Sequence, residues 1–385
     1  MKVAVTTLAF CAAALLALGL VMLYSSSWAL ENRRTHVETG AHDLIMQLIW
    51  CAIGLVFCVI ATALDYQLLK KFAWPVFVLA LLLLGLVFAP HIGRASHGAH
   101  RWIGIGPFTF QPSELGKITL IIMLAWYGDH YQRQMHTFKR GIIFPAAMVG
   151  VILGLIFVEP DRGTTILLSA VTGAMLLIAG VKLRHVLIPV VVGAAGLTVS
   201  ILHDPMRMRR IFAWLHPEEH LNGAALQAQQ AMLGLGNGGW FGVGLGNGVR
   251  KFGWLPEIHT DFIFANIGEE LGLVATLFVV LAFVVMAICG IYIAMHARDT
   301  FGFLLASGIT FLISLQAAIN IGVVTSALPN KGLPLPFISY GGSNLLAMLT
   351  CIGILFSIAR YAPAREKKSE FVADHGDNPF AAKAT

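Results

Sequence analysis

The segment Gly234 to Gly272, GLGNGGWFGVGLGNGVRKFGWLPEIHTDFIFANIGEELG, sets carboxylates, basic residues, amides and glycines against the start of a long apolar run. Asp261, Glu269 and Glu270 enter that run, which continues to Met295. Carboxylates are costly in hydrocarbon, so a span that opens with them is expected to face a polar cavity, a partner charge or a substrate. Asp261 follows His259-Thr260 and precedes Phe262, Ile263 and Phe264. Two compatible roles suit it: a cap on the helix that follows, or a general base set among apolar neighbours.

Two further stretches combine turn residues with charge. Arg101-Trp102-Ile103-Gly104-Ile105-Gly106-Pro107 leads through Gln111-Pro112-Ser113-Glu114-Leu115-Gly116-Lys117 into an apolar run. Pro112 suits a helix start, and Glu114 and Lys117 fall on one face at i, i+3. They either neutralise each other or line a site, and Trp102 is either an interfacial anchor or a ligand contact. Glu159-Pro160-Asp161-Arg162-Gly163-Thr164 is a tight turn between two spans. Asp161 caps the next helix, but three charges in four positions exceed what a turn needs, so Glu159 and Arg162 are candidates to line a polar groove.

Other chemistries lack their patterns. Gly242-Val243-Gly244-Leu245-Gly246-Asn247-Gly248 has no Walker lysine and no βαβ frame, so its glycines are expected to let backbone pass closely along a long ligand. Neither serine of Ser339-Tyr340-Gly341-Gly342-Ser343 sits in a nucleophile-elbow frame. His91, His97, His100, His203, His216 and His220 show no metal-ligand spacing. The five cysteines, Cys11, Cys51, Cys58, Cys289 and Cys351, all fall in apolar runs and are odd in number. They are read as small packing residues, not as a disulfide framework.

The elements that position these groups are membrane spans. Hydrophobic residues make up 57% of the chain and charged residues 12%, and mean hydropathy is +0.77, which excludes an ordinary soluble domain. Ten apolar stretches, near 4–24, 44–63, 73–90, 113–129, 141–158, 164–181, 185–202, 262–295, 301–322 and 341–360, are each long enough to cross a bilayer. The expected fold is therefore all-α and polytopic, with about ten transmembrane helices over residues 1–360, a long outer loop at 203–260 and a disordered cytoplasmic tail at 361–385. An even number of spans puts both termini on one side. With the N-terminus inside, the inner loops and termini carry thirteen Lys and Arg against six in the short outer loops, so both termini are expected in the cytoplasm. The first run exceeds a signal-peptide core and reads as an uncleaved helix. Under this topology 91–117, 159–165, 203–270 and 325–344 share the outer side, which points to one extracytoplasmic site. The net charge of +6 follows the inner-loop bias, and no basic-aromatic array suggests nucleic acid.

At these stretches the chain resembles the SEDS family of cell-wall polymerases, which includes FtsW and RodA. The likeness runs from Gly19-Leu20-Val21-Met22-Leu23-Tyr24-Ser25-Ser26-Ser27 through the Arg101–Lys117 and Glu159–Thr164 segments. It is densest at Leu255-Pro256-Glu257-Ile258-His259-Thr260-Asp261-Phe262-Ile263-Phe264 with Gly268-Glu269-Glu270. It closes with Asn320-Ile321-Gly322-Val323 and with Leu328 through Ser343. Lys331 within Pro-x-Lys-Gly-Leu is more similar to the FtsW branch. Two departures, Asn237-Gly238-Gly239 for the usual Ser-Gly-Gly and Leu226-Gln227 for a frequent Tyr-Gln, bear on substrate detail in the long outer loop.

The resemblance implies a SEDS-type fold and a peptidoglycan glycosyltransferase acting on lipid II at the outer face of the bacterial inner membrane. It also implies a class B penicillin-binding protein (a transpeptidase) as partner, together with other division proteins and membrane lipid. It maps the proposed catalytic aspartate onto Asp261, and Arg101, Trp102, Glu114, Lys117, Glu257 and Lys331 onto the central cavity. Glu159, Arg210, His259 and Ser339 complete the expected substrate-binding set. Asp261 would take the proton of an acceptor GlcNAc 4-hydroxyl as it attacks the donor MurNAc anomeric carbon. Arg101, Lys117, Arg210 and Lys331, with or without a divalent cation (Mg or Mn), would stabilise the departing undecaprenyl diphosphate. Three alternatives stay open: a flippase for the lipid-linked precursor, a RodA-type elongation polymerase, and a non-catalytic division scaffold.

Overall fold

The computed structural model describes residues 1–31, 39–89, 93–96, 99–105, 108–215, 224–251 and 258–362. The expected tail beyond 362 and the 252–257 segment, with Glu257, lie outside the described residues. Helices α1 (Lys2–Glu31), α2 (Thr39–Ala63), α6 (Phe144–Val158, preceded by a π turn at Lys139–Ile143), α8 (Leu183–Leu202), α11 (Ile263–Met295), α12 (Thr300–Val324) and α13 (Gly342–Arg360) are long and apolar enough to cross a membrane. The shorter apolar helices α4 (Ala73–Leu86) and α7 (Arg162–Ile178) run among them, as does α5 (Pro112–His130), which carries Glu114 and Lys117. Among the described residues these ten helices correspond to the ten expected spans. Short helices α3 (Gln67–Lys71), α9 (Pro205–Leu215) and α10 (Ala224–Asn237) connect them.

Two departures from the expected architecture lie in the connections. The turn-rich stretch before α5 holds a three-stranded antiparallel sheet, β1 (Gly93–Ser96), β2 (Ala99–Ile105) and β3 (Phe108–Phe110). Ile103 pairs with Phe110, and Ile105 with Phe108. Aromatic and β-branched residues flanking Gly106-Pro107 make a hairpin the natural local structure. The long loop 203–260 is also partly helical, through α9 and α10.

Burial separates core helices from lipid-facing ones. Of the most apolar stretch of α13 78% is buried, and of α12 67%, against 6% for α8. Exposed Leu55, Val56, Phe57, Val59 and Ile60 on α2 suit contact with lipid tails, while the opposite face packs on α13. There Gly353 admits the Cys58 carbonyl, which a β-carbon would displace.

The bundle has two polar ends. At one end Tyr66 donates to Asp299 at 2.6 Å, Lys70 pairs with Asp129 at 2.6 Å, and Ser357 donates to the Leu64 carbonyl at 2.7 Å. The helices run from there to the opposite end, where the segments 99–105, 108–112, 159–163, 258–263 and 325–344 gather.

One break within α11 shapes this second end. Gly272 has φ 79° and ψ −172°, outside the helical region and readily adopted only by glycine. The glycine-rich 238–244 segment lies against the break. Its Val243 and Gly244 N–H groups donate to the Glu269 and Glu270 carbonyls at 3.0 and 3.1 Å, while Leu273 and Val274 N–H donate to Gly239 and Trp240 carbonyls at 2.9 and 3.2 Å. These four bonds from outside the helix serve backbone groups on both sides of the break. Of the glycines expected to let backbone pass closely, Gly242 does so along α11: a β-carbon there would collide with the Glu270 carbonyl. Past Gly272 the helix runs about 35 Å to Met295, long enough to cross the roughly 30 Å hydrocarbon layer on its own.

Candidate active site at the mouth of α11

Asp261 is half-buried at the entrance to α11, and Phe262 occupies the N-cap position. The helix therefore begins one residue later than the capping reading requires. Three successive carbonyls around Asp261 each accept a hydrogen bond from the 320–340 region. The His259 carbonyl accepts from the Tyr340 N–H at 2.9 Å, the Thr260 carbonyl from Ser339 Oγ at 2.6 Å, and the Asp261 carbonyl from Asn320 Nδ2 at 2.9 Å. Ser339 Oγ also accepts from the Leu335 N–H at 2.8 Å. The peptide that carries the carboxylate is thus held through its backbone.

The arm 328–338 crosses the site. Its Gly332 lies against the Asp261 carboxylate, and Leu333 packs on Gly163 of the turn before α7. Lys331, half-buried on this arm, has its pKa pushed down by burial and then by the Arg162 guanidinium. At the turn before α7 Arg101 Nε donates to the Glu159 carbonyl at 2.9 Å and its Nη2 to the Pro160 carbonyl at 2.6 Å. Asp161 caps α7 as expected, accepting from the Thr164 N–H at 3.1 Å, and also receives Gln111 Nε2 at 3.3 Å.

Glu159 stands apart from its neighbours. It is 0% exposed, and neither carboxyl oxygen has a hydrogen-bond partner among the described residues. Burial, with Asp161 adding and Arg101 opposing, pushes its pKa up to about 8. It is therefore largely neutral near pH 7.

Structure brings Asp261, His259, Ser339, Lys331, Arg101 and Glu159 to one end of the bundle. Trp102 lies half-buried on β2 beside Arg101, and the His259 ring meets Tyr340 edge-on at 6.0 Å. Arg210 lies on α9, with its side chain outside the described residues. Glu114 and Lys117 are 2.7 Å apart and 4% and 0% exposed. Lys117 also donates to Gln316 Oε1 at 3.1 Å, and Asn344 donates to Glu114 Oε2 at 3.1 Å. This pair is occupied within the helix packing.

Glu269 and Glu270 find partner groups within the chain. Glu269 Oε1 accepts from the Val249 N–H at 2.9 Å, and Glu270 pairs with Lys251 at 2.7 Å while accepting from Ser25 Oγ at 2.6 Å. They fasten the 246–251 segment to α11 and α1. Sequence reasoning gave no role to Gln316 or Lys251. The signal that could have exposed Gln316 is an amide four residues before Asn320 in an otherwise apolar span. Among the described residues no three His, Cys, Asp or Glu side chains gather as a ligand set for a divalent ion. The chemistry available to the described residues is a fixed carboxylate with side-chain cations across a crossing arm.

Comparison with known proteins follows the same lines. The family model described as FtsW, RodA and SpoVE, cell cycle protein, matches residues 6–364. The probable peptidoglycan glycosyltransferase FtsW of Trichlorobacter lovleyi is 40% identical over 346 residues, 90% of each chain. Stage V sporulation protein E of Bacillus subtilis is 36% identical over 348 residues, 90% of this chain and 94% of that one. Among solved structures, a chain from work described as structural coordination of polymerization and crosslinking by a peptidoglycan synthase complex superposes with a TM-score of 0.77 at 26% identity, covering 92% of this chain and 96% of that one. The rod shape determining protein RodA of Thermus thermophilus superposes with a TM-score of 0.66 at 25% identity, covering 93% and 97%.

Proposed function

The chain belongs to the FtsW, RodA and SpoVE family of cell cycle proteins, and from that membership we propose that it is a multi-pass membrane peptidoglycan glycosyltransferase that polymerises lipid II during division. One observation carries the assignment of its base: the Asp261 carboxylate sits on a backbone-clamped peptide, against Gly332 of the arm that bears Lys331. Asp261 removes the proton from the acceptor GlcNAc 4-hydroxyl as that oxygen attacks the donor MurNAc anomeric carbon. Inversion there forms the β-1,4 bond, and undecaprenyl diphosphate leaves with its electron pair. Negative charge grows on that diphosphate, so Lys331 and Arg101, fixed before reaction, favour the transition state over the bound substrate. Arg210 is assigned to the same diphosphate from its position on α9.

The site is placed on the extracytoplasmic face, with both termini in the cytoplasm. Support comes from the basic residues Lys70, Lys71, Arg133, Lys139, Arg140, Lys182, Arg184 and Arg298, which fall in the connections at the Tyr66–Asp299 end, opposite Asp261. A class B penicillin-binding protein is the proposed partner, consistent with the synthase complex among the structural relatives. A flippase would need polar access from both membrane faces, whereas the candidate groups collect at one end. Purified protein given lipid II, with and without the transpeptidase, should yield glycan chains on a gel. Asp261→Asn should fold normally and polymerise about 10²–10⁴-fold more slowly. Normal polymerisation by a folded Asp261→Asn protein would remove the base assignment, and lipid movement without polymer would favour the flippase.

A further inference from the structure

Helix α12 carries two amides one turn apart, Gln316 and Asn320, buried to 0% and 1% exposure. Both donate to the arm that crosses the site. Gln316 Nε2 reaches the Pro334 carbonyl at 2.9 Å, and Asn320 Nδ2 reaches the Leu333 carbonyl at 2.7 Å. The same Asn320 Nδ2 also donates to the Asp261 carbonyl at 2.9 Å. Asn320 Oδ1 has no partner among the described residues, so the amide spends its donors on two backbone segments and leaves its acceptor unused. In a span, where a buried polar group without a partner is unfavourable, that arrangement has a purpose other than solubility.

We infer that Asn320 is a positioning residue for the transfer reaction: its single amide nitrogen sets the spacing between the peptide of the base, Asp261, and the arm that bears the cation Lys331. This rests on the reading of Asp261 as general base. The relative placement of the proton acceptor and the charge-stabilising group must be kept to within about an ångström, because attack and departure occur at one anomeric carbon from opposite sides. The two segments belong to different connections, one before α11 and one after α12, and among the described residues no backbone bond links Asp261 to Leu333; the nearest, from the Tyr340 N–H to the His259 carbonyl, lies two residues away. Leu333 N–H instead bonds within its own arm, to the Lys331 carbonyl at 3.1 Å. Asn320 does not touch substrate in this scheme. Gln316 continues the tie one turn deeper, where Lys117 donates to its Oε1 at 3.1 Å, so the buried Glu114–Lys117 pair reaches the same arm through an amide.

The test measures lipid II polymerisation by the full-length protein with its transpeptidase partner, for Asn320→Leu and Asn320→Asp, each checked for wild-type thermal unfolding in detergent. Asn320→Leu keeps the branched shape and removes both donors. Its kcat should fall at least tenfold, and about 10²-fold if the base shifts by 1 Å, while KM for lipid II stays within twofold. Asn320→Asp keeps one donor only while its introduced carboxyl is protonated, so its kcat should exceed that of Asn320→Leu at low pH and converge on it as pH rises. Wild-type kcat should show no such loss on the alkaline side. Unchanged kcat in both variants, or a raised KM at unchanged kcat, overturns the inference. If Asn320→Leu does not fold, the pH dependence of Asn320→Asp decides alone, and a profile parallel to wild type is then the overturning result. Should Asp261→Asn polymerise normally, the base assignment fails first, whatever Asn320 does.

Discussion

Gly332 and Asp261 are in contact across the site: a β-carbon on Gly332 would lie 2.6 Å from Asp261 Oδ2. Gly332 is exposed, whereas the carboxylate it meets is half-buried, so the glycine forms one wall of the space in which the base works. Its lack of a side chain lets the Lys331 arm pass the carboxylate at van der Waals distance.

Gly332→Ala tests that wall. The added methyl would crowd Asp261 Oδ2, so the carboxylate must shift to admit it, and because Gly332 itself is exposed, thermal stability should stay near wild type. The displaced carboxylate should lower lipid II polymerisation about 10–10²-fold, the effect of an ångström-scale misplacement. Gel-resolved glycan synthesis together with an unfolding curve separates the two effects. Wild-type polymerisation would mean that Asp261 does not work from the position it occupies here.

The buried pair Glu114–Lys117 predicts an asymmetry in stability. Lys117→Met leaves the Glu114 carboxylate buried with Asn344 as its remaining donor and should destabilise the protein by about 3–5 kcal/mol. Replacing both, Glu114→Gln with Lys117→Met, removes the stranded charge and should recover most of that loss. Detergent-phase unfolding of the two single variants and the double variant measures it. Equal stability of single and double variants would show that the two charges are not coupled.

Glu159 gives a pH dependence. Its carboxyl is raised from the ordinary 4.5 to about 8, first by burial and then by Asp161, against Arg101. The folded protein therefore holds a proton there that the unfolded chain releases. Stability from this group is complete below pH 4.5 and is lost as pH climbs toward 8. Glu159→Gln, which keeps the neutral shape, should lose less stability than wild type between pH 5 and about 8.5. Parallel unfolding-versus-pH curves for the two proteins would show that Glu159 is ionised in the fold.

Much of this molecule is legible in one dimension. Ten apolar runs set the membrane architecture, because a span must be apolar along its own length. The charge before Phe262, the capping Asp161 and the shared side of the four polar segments follow from local order and the parity of spans. The small sheet before α5 was harder to read, since β-propensity is expressed only when two short strands meet.

What tertiary structure alone decided is which distant groups each charge meets. In sequence, Glu269, Glu270 and Asp261 look alike as acids entering one helix. Glu270 is consumed by Ser25, 245 residues away, and by Lys251. Lys117 is held by Gln316, 199 residues away, as well as by its own-helix partner Glu114. Asp261 has its backbone clamped by Asn320, 59 residues on, with its carboxylate against Gly332. Local periodicity records where a side chain leaves its own helix. Whether it then meets a donor, a cation or open space depends on helices that come together only when the bundle packs.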